Sequence, residues 1–213
     1  MELVHVLPQD IEKRSFEIIT KELKQNNIVI DEDKAFIIKR AIHTTADFEY
    51  ASSLCFSDDA IAIMAKMIKN GAHIVTDTNM GFSGINKNEL KKYGGEVHCF
   101  MADEDVAIEA KQRGVTRAVV SMERAAMLKE DVIFAIGNAP TALINLREMY
   151  DKKVFIPKFI IGVPVGFVNV EYAKELIMET DIPYIVNRGR KGGSNVAAAI
   201  CNAVLYEIRK GNL

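Results

Sequence analysis

The stretch Asp131-Val-Ile-Phe-Ala-Ile-Gly-Asn-Ala-Pro140, DVIFAIGNAP, joins a short β-rich run to the start of a helix. The run ends at Gly137, and Pro140 falls near the first helical turn, where its missing N–H costs nothing. The same rhythm recurs from residue 72 onward. AHIVTD (72–77), EVHCFM (96–101), KFIIGVP (158–164) and IPYIVN (182–187) are further β-rich runs. Helical segments alternate with them, such as EDVAIEAKQR between Asp103 and Gly114, and VEYAKELIMET after Asn169. Strands alternating with helices imply a mainly parallel sheet covered on both faces.

Upstream, three helices precede any convincing strand. Gln9 to Gln25 places Ile11, Phe16, Ile18, Ile19 and Leu23 near one side, with Pro8 at its entry. Asp31 to about His43 forms a second helix, its first turn acidic. Ser57 is expected to cap a third, DDAIAIMAKMIKN, which stops at Gly71. With right-handed crossovers the expected fold is α/β: a three-layer α/β/α sandwich, flavodoxin-like, with a mainly parallel five-stranded sheet and additional N-terminal helices. No Pro/Gly/Ser linker, repeat or low-complexity block divides the chain, so residues 1–213 read as a single domain.

Composition narrows the function classes. Of the 213 residues, 49% are hydrophobic and 26% charged, as expected of a globular protein with a sizeable core. A formal net charge of −2 supplies no global attraction for nucleic acid or a membrane surface, so any anion site must be local. No apolar run approaches the roughly 20 residues of a bilayer span, and MELVHVLPQDIEKR lacks the features of a signal peptide. Cys55, Cys99 and Cys201 are far apart and form no CxxC pair, so reduced thiols, a cytoplasmic setting and no metal site are expected.

In doubly wound sheets, ligands bind beyond the carboxyl ends of the strands. Four loops there have distinctive composition. TDTNMGFSGI (76–85) combines Gly81 and Gly84 with the hydrogen-bonding side chains of Asp77, Thr78, Asn79 and Ser83, and serves equally as a polar loop leading into a helix. In IGNAPTAL (136–143), a helix start points backbone N–H groups at the crevice, where Asn138 and Thr141 add donors; Asn138 as a plain cap is the alternative. GVPVGFVN (162–169) makes a rigid, mostly apolar wall, with Phe167 either on a flat ligand or in the core. NRGRKGGSN (187–195) sets Arg188, Arg190 and Lys191 beside three glycines and a helix N-terminus, which favours anions over a merely solvated basic turn. Neither GxxxxGK[ST] nor GxGxxG occurs. These features point to a polyanionic small molecule without identifying it.

Taken in order, RSFEII (14–19), KRAIHTTADFEYA (39–51), GNAPTAL (137–143), GVPVGFVNV (162–170) and RGRKGGSNVAAA (188–199) resemble the precorrin-8X methylmutases of cobalamin biosynthesis. IHTTADF further resembles the branch that acts on cobalt-precorrin-8. The resemblance implies a flavodoxin-like homodimer that moves a methyl group from carbon 11 to carbon 12 of the macrocycle. It needs no cofactor, and cobalt, where present, arrives within the substrate. The ligand is a broad apolar disc rimmed by carboxylates. Met80, Val163, Val165, Gly166 and Phe167 suit its face. Asn138, Ala139, Thr141, Arg188, Arg190, Lys191, Gly192, Gly193 and Ser194 suit its rim, while Arg14, Ser15, Arg40 and Arg117 match family positions near the substrate.

His43 in KRAIHTTADFE is the catalytic residue the resemblance implies, a general acid that protonates the macrocycle. Imidazole, with a reference pKa of about 6.5, suits proton transfer near neutrality. A helix C-terminus and bound carboxylates favour an imidazolium there, whereas Lys39 and Arg40 one turn back disfavour it. His73 and His98 lie in expected strands and His5 in the N-terminal segment. Two competing readings are a non-catalytic tetrapyrrole carrier and a different enzyme of this fold that binds a phosphorylated ligand.

Overall fold

The computed structural model describes residues 7–213. A 3-10 turn at Pro8–Asp10 leads into α1 (Ile11–Gln25), and a second, Glu32–Lys34, precedes α2 (Ala35–Thr45). Asp31 opens that second turn by accepting the Asp33 N–H at 3.1 Å. α2 stops where Ala46 turns left-handed, φ 55°, and returns its N–H to the Ile42 carbonyl at 2.7 Å. His43 therefore sits in the last turn of α2.

α3 (Tyr50–Ser53) and β1 (Leu54–Phe56) come next. β1 corrects the expected five strands to six. It pairs antiparallel with the last strand, Leu54 opposite Asn187 and Phe56 opposite Ile185. Ser57 does not cap a helix; it lengthens this pairing. Its N–H donates to the Tyr184 carbonyl at 3.1 Å, and its Oγ accepts the Tyr184 N–H at 2.9 Å. α4 (Ala60–Lys69) and β2 (His73–Thr76) follow. The stretch read as an open polar loop is instead a short helix, α5 (Asn79–Gly84), capped by Thr78 Oγ1 on the Gly81 N–H at 3.0 Å. The chain continues through α6 (Lys87–Lys91), β3 (Val97–His98), α7 (Glu104–Arg113) and α8 (Arg117–Ala125). It ends with β4 (Val132–Ile136), α9 (Pro140–Asp151), β5 (Phe159–Gly162), α10 (Val170–Met178), β6 (Tyr184–Asn187) and α11 (Ser194–Lys210).

Strand order is β1-β6-β5-β4-β2-β3, parallel throughout except for β1. The five parallel strands thus follow the doubly wound order 2-1-3-4-5, whose reversal falls between β2 and β4. The alternation of β4 shows how the layers are held. Ile133 and Ala135 pack with Ile42, Met64 and Ile200 on the face covered by α2, α4 and α11. Val132, Phe134 and Ile136 pack with Met122, Leu146 and Ile177 on the face of α8, α9 and α10. Each of these buried side chains larger than alanine contributes about 1.5–3 kcal/mol. The two apolar faces hold the sandwich, so the loops at the strand ends are left to be shaped by polar contacts.

Candidate active site

The reversal between β2 and β4 is where a sheet of this order opens a ligand crevice. Here Asp77 fills it. The Asp77 carboxylate, 1% exposed, accepts the backbone N–H groups of Gly137, Asn138 and Ala139 at 2.9, 2.8 and 2.5 Å. Burial pushes this carboxyl's pKa up, and the three amides pull it back. The donors that the sequence reading assigned to a ligand are thus engaged within the chain. Beside them Thr78 Oγ1 donates to Ser194 Oγ at 2.7 Å. Gly137 allows this closeness, since a Cβ there would stand 2.5 Å from Ser194 Cα.

The loops after β5 and β6 are joined to each other. The Gly193 N–H donates to the Val163 carbonyl at 2.9 Å, and the Gly166 N–H to the Arg190 carbonyl at 3.1 Å. Gly192, at φ 157°, passes so close that a Cβ would lie 2.1 Å from the Val163 oxygen. Beneath the second loop, Lys174 Nζ donates to the carbonyls of Gly189 and Lys191 at 2.7 and 2.8 Å. Asn187 Nδ2 donates to the same Lys191 carbonyl at 2.6 Å.

The three cations of this loop are exposed, but each has an acid. Arg188 meets Glu175 at 3.3 Å, and Arg190 meets Glu171 at 2.7 Å while lying 5.6 Å over the Phe167 ring. Lys191 meets Asp47 at 2.5 Å and Glu49 at 2.7 Å. Lys191 holds the Asp47 carboxyl below the usual carboxylate range, and the two acids raise the Lys191 pKa in turn. Exposed pairs of this kind are screened by solvent and add little net stability, so an incoming carboxylate can exchange with them.

Lys191 also reaches across to the segment that follows His43. Its two acids directly follow the end of α2, so the bridge draws that helix end to the β6 loop. Exposed His43 stacks on Phe16 with ring centroids 5.4 Å apart and planes 20° apart. A cavity of about 330 Å³ is lined by His43, Ser15, Ile18, Ile42 and Phe48, among others. Ser15 Oγ donates to the Ile11 carbonyl at 2.9 Å, and Arg14 pairs with Glu17 at 3.0 Å. Arg40 pairs with Glu12, and its guanidinium lies 4.8 Å over Phe16 and 5.5 Å over Tyr206. That makes Arg40 a support beneath Phe16 rather than an open anchor.

The apolar residues divide sharply. Val163 is fully buried in the core, so it does not reach the ligand face. Phe167, by contrast, is 84% exposed and Met80 67% exposed, with Val165 and Val168 also open. Gly193 and Ser194 are buried, while Gly166 and Gly192 are half-buried. Thr116 Oγ1 donates to Thr141 Oγ1 at 3.2 Å, which sets exposed Arg117 beside the start of α9; Arg117 pairs with no acid among the described residues. His73 and His98 lie 2.7 Å apart (Nδ1 to Nε2), and His73 opens β2 at the end away from Asp77. Burial, then His73, lowers the pKa of His98. His5 lies outside the described residues. Among those residues no group of three or more His, Cys, Asp or Glu is placed to hold a metal ion, and no helix is long and apolar enough to cross a membrane.

Sequence reading missed Phe16, Lys174 and the internal role of Asp77. Phe16 carried a usable signal, an aromatic beside Ser15 on the helix that faces His43. Lys174 carried none, because a lysine in VEYAKELIMET reads as an exposed helix charge.

The sequence model of the precorrin-8X methylmutase family matches residues 10–207. A cobalt-precorrin-8 methylmutase of Priestia megaterium is 43% identical over 199 residues, which cover 93% of this chain and 88% of the relative. A precorrin-8X methylmutase of Pseudomonas aeruginosa is 35% identical over 201 residues, 93% of this chain and 95% of the relative. The crystal structure of a precorrin-8x methyl mutase from Thermus thermophilus superposes with a TM-score of 0.83 at 34% identity, covering 96% of this chain and all of that one. By sequence and by fold, the chain belongs to the precorrin-8X methylmutase family.

Proposed function

We propose that the chain catalyses the intramolecular migration of a methyl group from carbon 11 to carbon 12 of cobalt-precorrin-8, an isomerisation within cobalamin biosynthesis. The family match across residues 10–207 carries this reading. The cobalt-loaded substrate is favoured by the 43% identity to the Priestia megaterium enzyme against 35% to the Pseudomonas aeruginosa precorrin-8X enzyme. Cobalt belongs to the substrate.

The macrocycle is a flat apolar disc with a carboxylate rim, and the exposed side chains match it part for part. Phe167, Val165 and Met80 present open apolar surface for the face. Arg190, Arg188 and Lys191 exchange their surface acids for rim carboxylates, and Arg117 offers a guanidinium at the α9 end. His43 then donates a proton to the conjugated ring and biases the methyl shift towards product. The methyl bond to carbon 11 breaks as the methyl bond to carbon 12 forms, and the ring then releases a proton that restores the imidazolium, so atoms and charge balance without a methyl donor. In this reading the enzyme is a cytoplasmic homodimer. The three free thiols, Cys55, Cys99 and Cys201, support a reducing compartment. Sedimentation at micromolar concentration tests the dimer.

Incubation with cobalt-loaded and metal-free precorrin-8 tests the reaction. The product mass should equal the substrate mass while the visible spectrum shifts; a mass change overturns isomerisation. Phe167→Ala should raise KM about tenfold, as expected when one exposed aromatic loses its contact with the disc face. An unchanged KM would remove Phe167 from the binding surface.

A further inference from the structure

The Lys174 ammonium is the most unusual charge in the molecule. It is fully buried and pairs with no acid among the described residues. Burial pushes its pKa down to about 8. Glu171, the acid one turn away that acts on it weakly, is already engaged by Arg190. A methionine of similar length would fill the same space without desolvating a cation. What only the ammonium supplies is a set of donors, and two of them go to carbonyls of the 188–193 loop.

The pattern of those carbonyls defines the shape of the loop. The Gly189 and Lys191 oxygens turn inward to Lys174, while the Arg190 oxygen between them turns to the Gly166 N–H. With its carbonyls held alternately, the segment presents Arg190 towards Phe167 and Lys191 towards Asp47 and Glu49. Glycines at φ 78°, 157° and 140°, Gly189, Gly192 and Gly193, permit the turns on either side. We propose that Lys174 is a positioning residue, which holds the 188–193 loop in the conformation that receives the rim carboxylates of the substrate. The proposal rests on the reading of that loop as a substrate-binding loop. Lys174 touches neither the macrocycle nor the reacting carbons; it acts through Arg190 and Lys191.

The test separates loop order from function. Trypsin cleaves after Arg188, Arg190 and Lys191, so the rate of nicking at these bonds in ligand-free protein reports the clamp directly. Lys174→Met should raise that rate at least tenfold while the rest of the chain stays resistant. It should also weaken binding of hydrogenobyrinate, the metal-free form of the methyl-migrated product, at least tenfold, followed by visible absorbance. Lys174→Gln, which keeps a donor, should fall between wild type and Lys174→Met in both measurements. In an Arg190→Ala background the binding effect of Lys174→Met should shrink, because both act through one loop. If Lys174→Met melts out, Lys174→Gln alone must still show faster nicking than wild type. Wild-type nicking rates in either folded variant overturn the proposal. Faster nicking with unchanged product affinity overturns it too, leaving Lys174 a structural group. A wild-type protein that binds no corrinoid would sink the functional reading instead, and the nicking result would still decide the clamp.

Discussion

Replacing His43 with alanine should lower turnover of cobalt-precorrin-8 by about 10²–10⁴-fold, the usual range for loss of a positioned general acid. Binding should survive. The side chain is exposed and stacks on Phe16 without a hydrogen bond to the fold among the described residues, so its removal leaves no buried donor or acceptor unpaired. The apolar platform around Phe167 and the loop cations belong to other elements, so the product should stay on the protein as a visible chromophore. Kinetically this is a fall in kcat with KM little changed, the signature of an interaction made in the transition state. Stopped-flow absorbance with substrate in excess measures both. Added imidazole should restore part of the rate, because the cavity of about 330 Å³ beside Ser15 and Phe48 leaves room for it. Turnover within threefold of wild type would show that His43 is not the acid. It would then turn attention to another proton donor.

The parts of this fold that were legible in the sequence are those set by local pattern. β4 stands out because Val132–Ile136 is a continuous apolar run between Asp131 and Gly137, and a strand buried on both faces requires that. β1 was not legible. Leu54-Cys-Phe56 is too short to show alternation, and only its partner β6, more than a hundred residues later, makes it a strand. The site divides the same way. Glycines and cations marked the loops at the strand ends, but the fate of each charge is decided across the chain. Lys191 meets Asp47 over a separation of 144 residues, and Asp77 reaches the amides ahead of α9 over 60 to 62. Nothing in RGRKGG or GNAPTAL says that an internal acid already stands there. Phe167 shows the converse: beside Val165 and Val168 it reads as core or ligand face alike, and only the path of the loop exposes it.

The largest stability effect should come from Asp77→Ala. One carboxylate serves three backbone donors, and each donor left without a partner in a buried place costs about 1–3 kcal/mol. The three are not equal. Gly137 is buried, whereas Asn138 is exposed and Ala139 half-buried, so water can reach the latter two once the carboxylate is gone. The expected loss is about 2–4 kcal/mol. For a chain of this length that lowers the melting temperature by roughly 8 °C. Asp77→Asn should recover little despite its shape. Its amide keeps one acceptor oxygen but turns an NH₂ group towards backbone N–H groups, so donor faces donor. The function should suffer with the fold. Asp77 fixes the start of α9, and with it Asn138, Thr141 and the neighbouring Thr116–Arg117 corner. Product affinity should therefore fall along with the melting temperature, whereas Phe167→Ala, on an exposed loop, should cost affinity with no change in melting. Thermal unfolding and product titration on the same three variants separate these outcomes. An Asp77→Ala protein that melts within 2 °C of wild type would show that water replaces the carboxylate at all three amides. The crevice between β2 and β4 would then be open to ligand, as the strand order alone suggests.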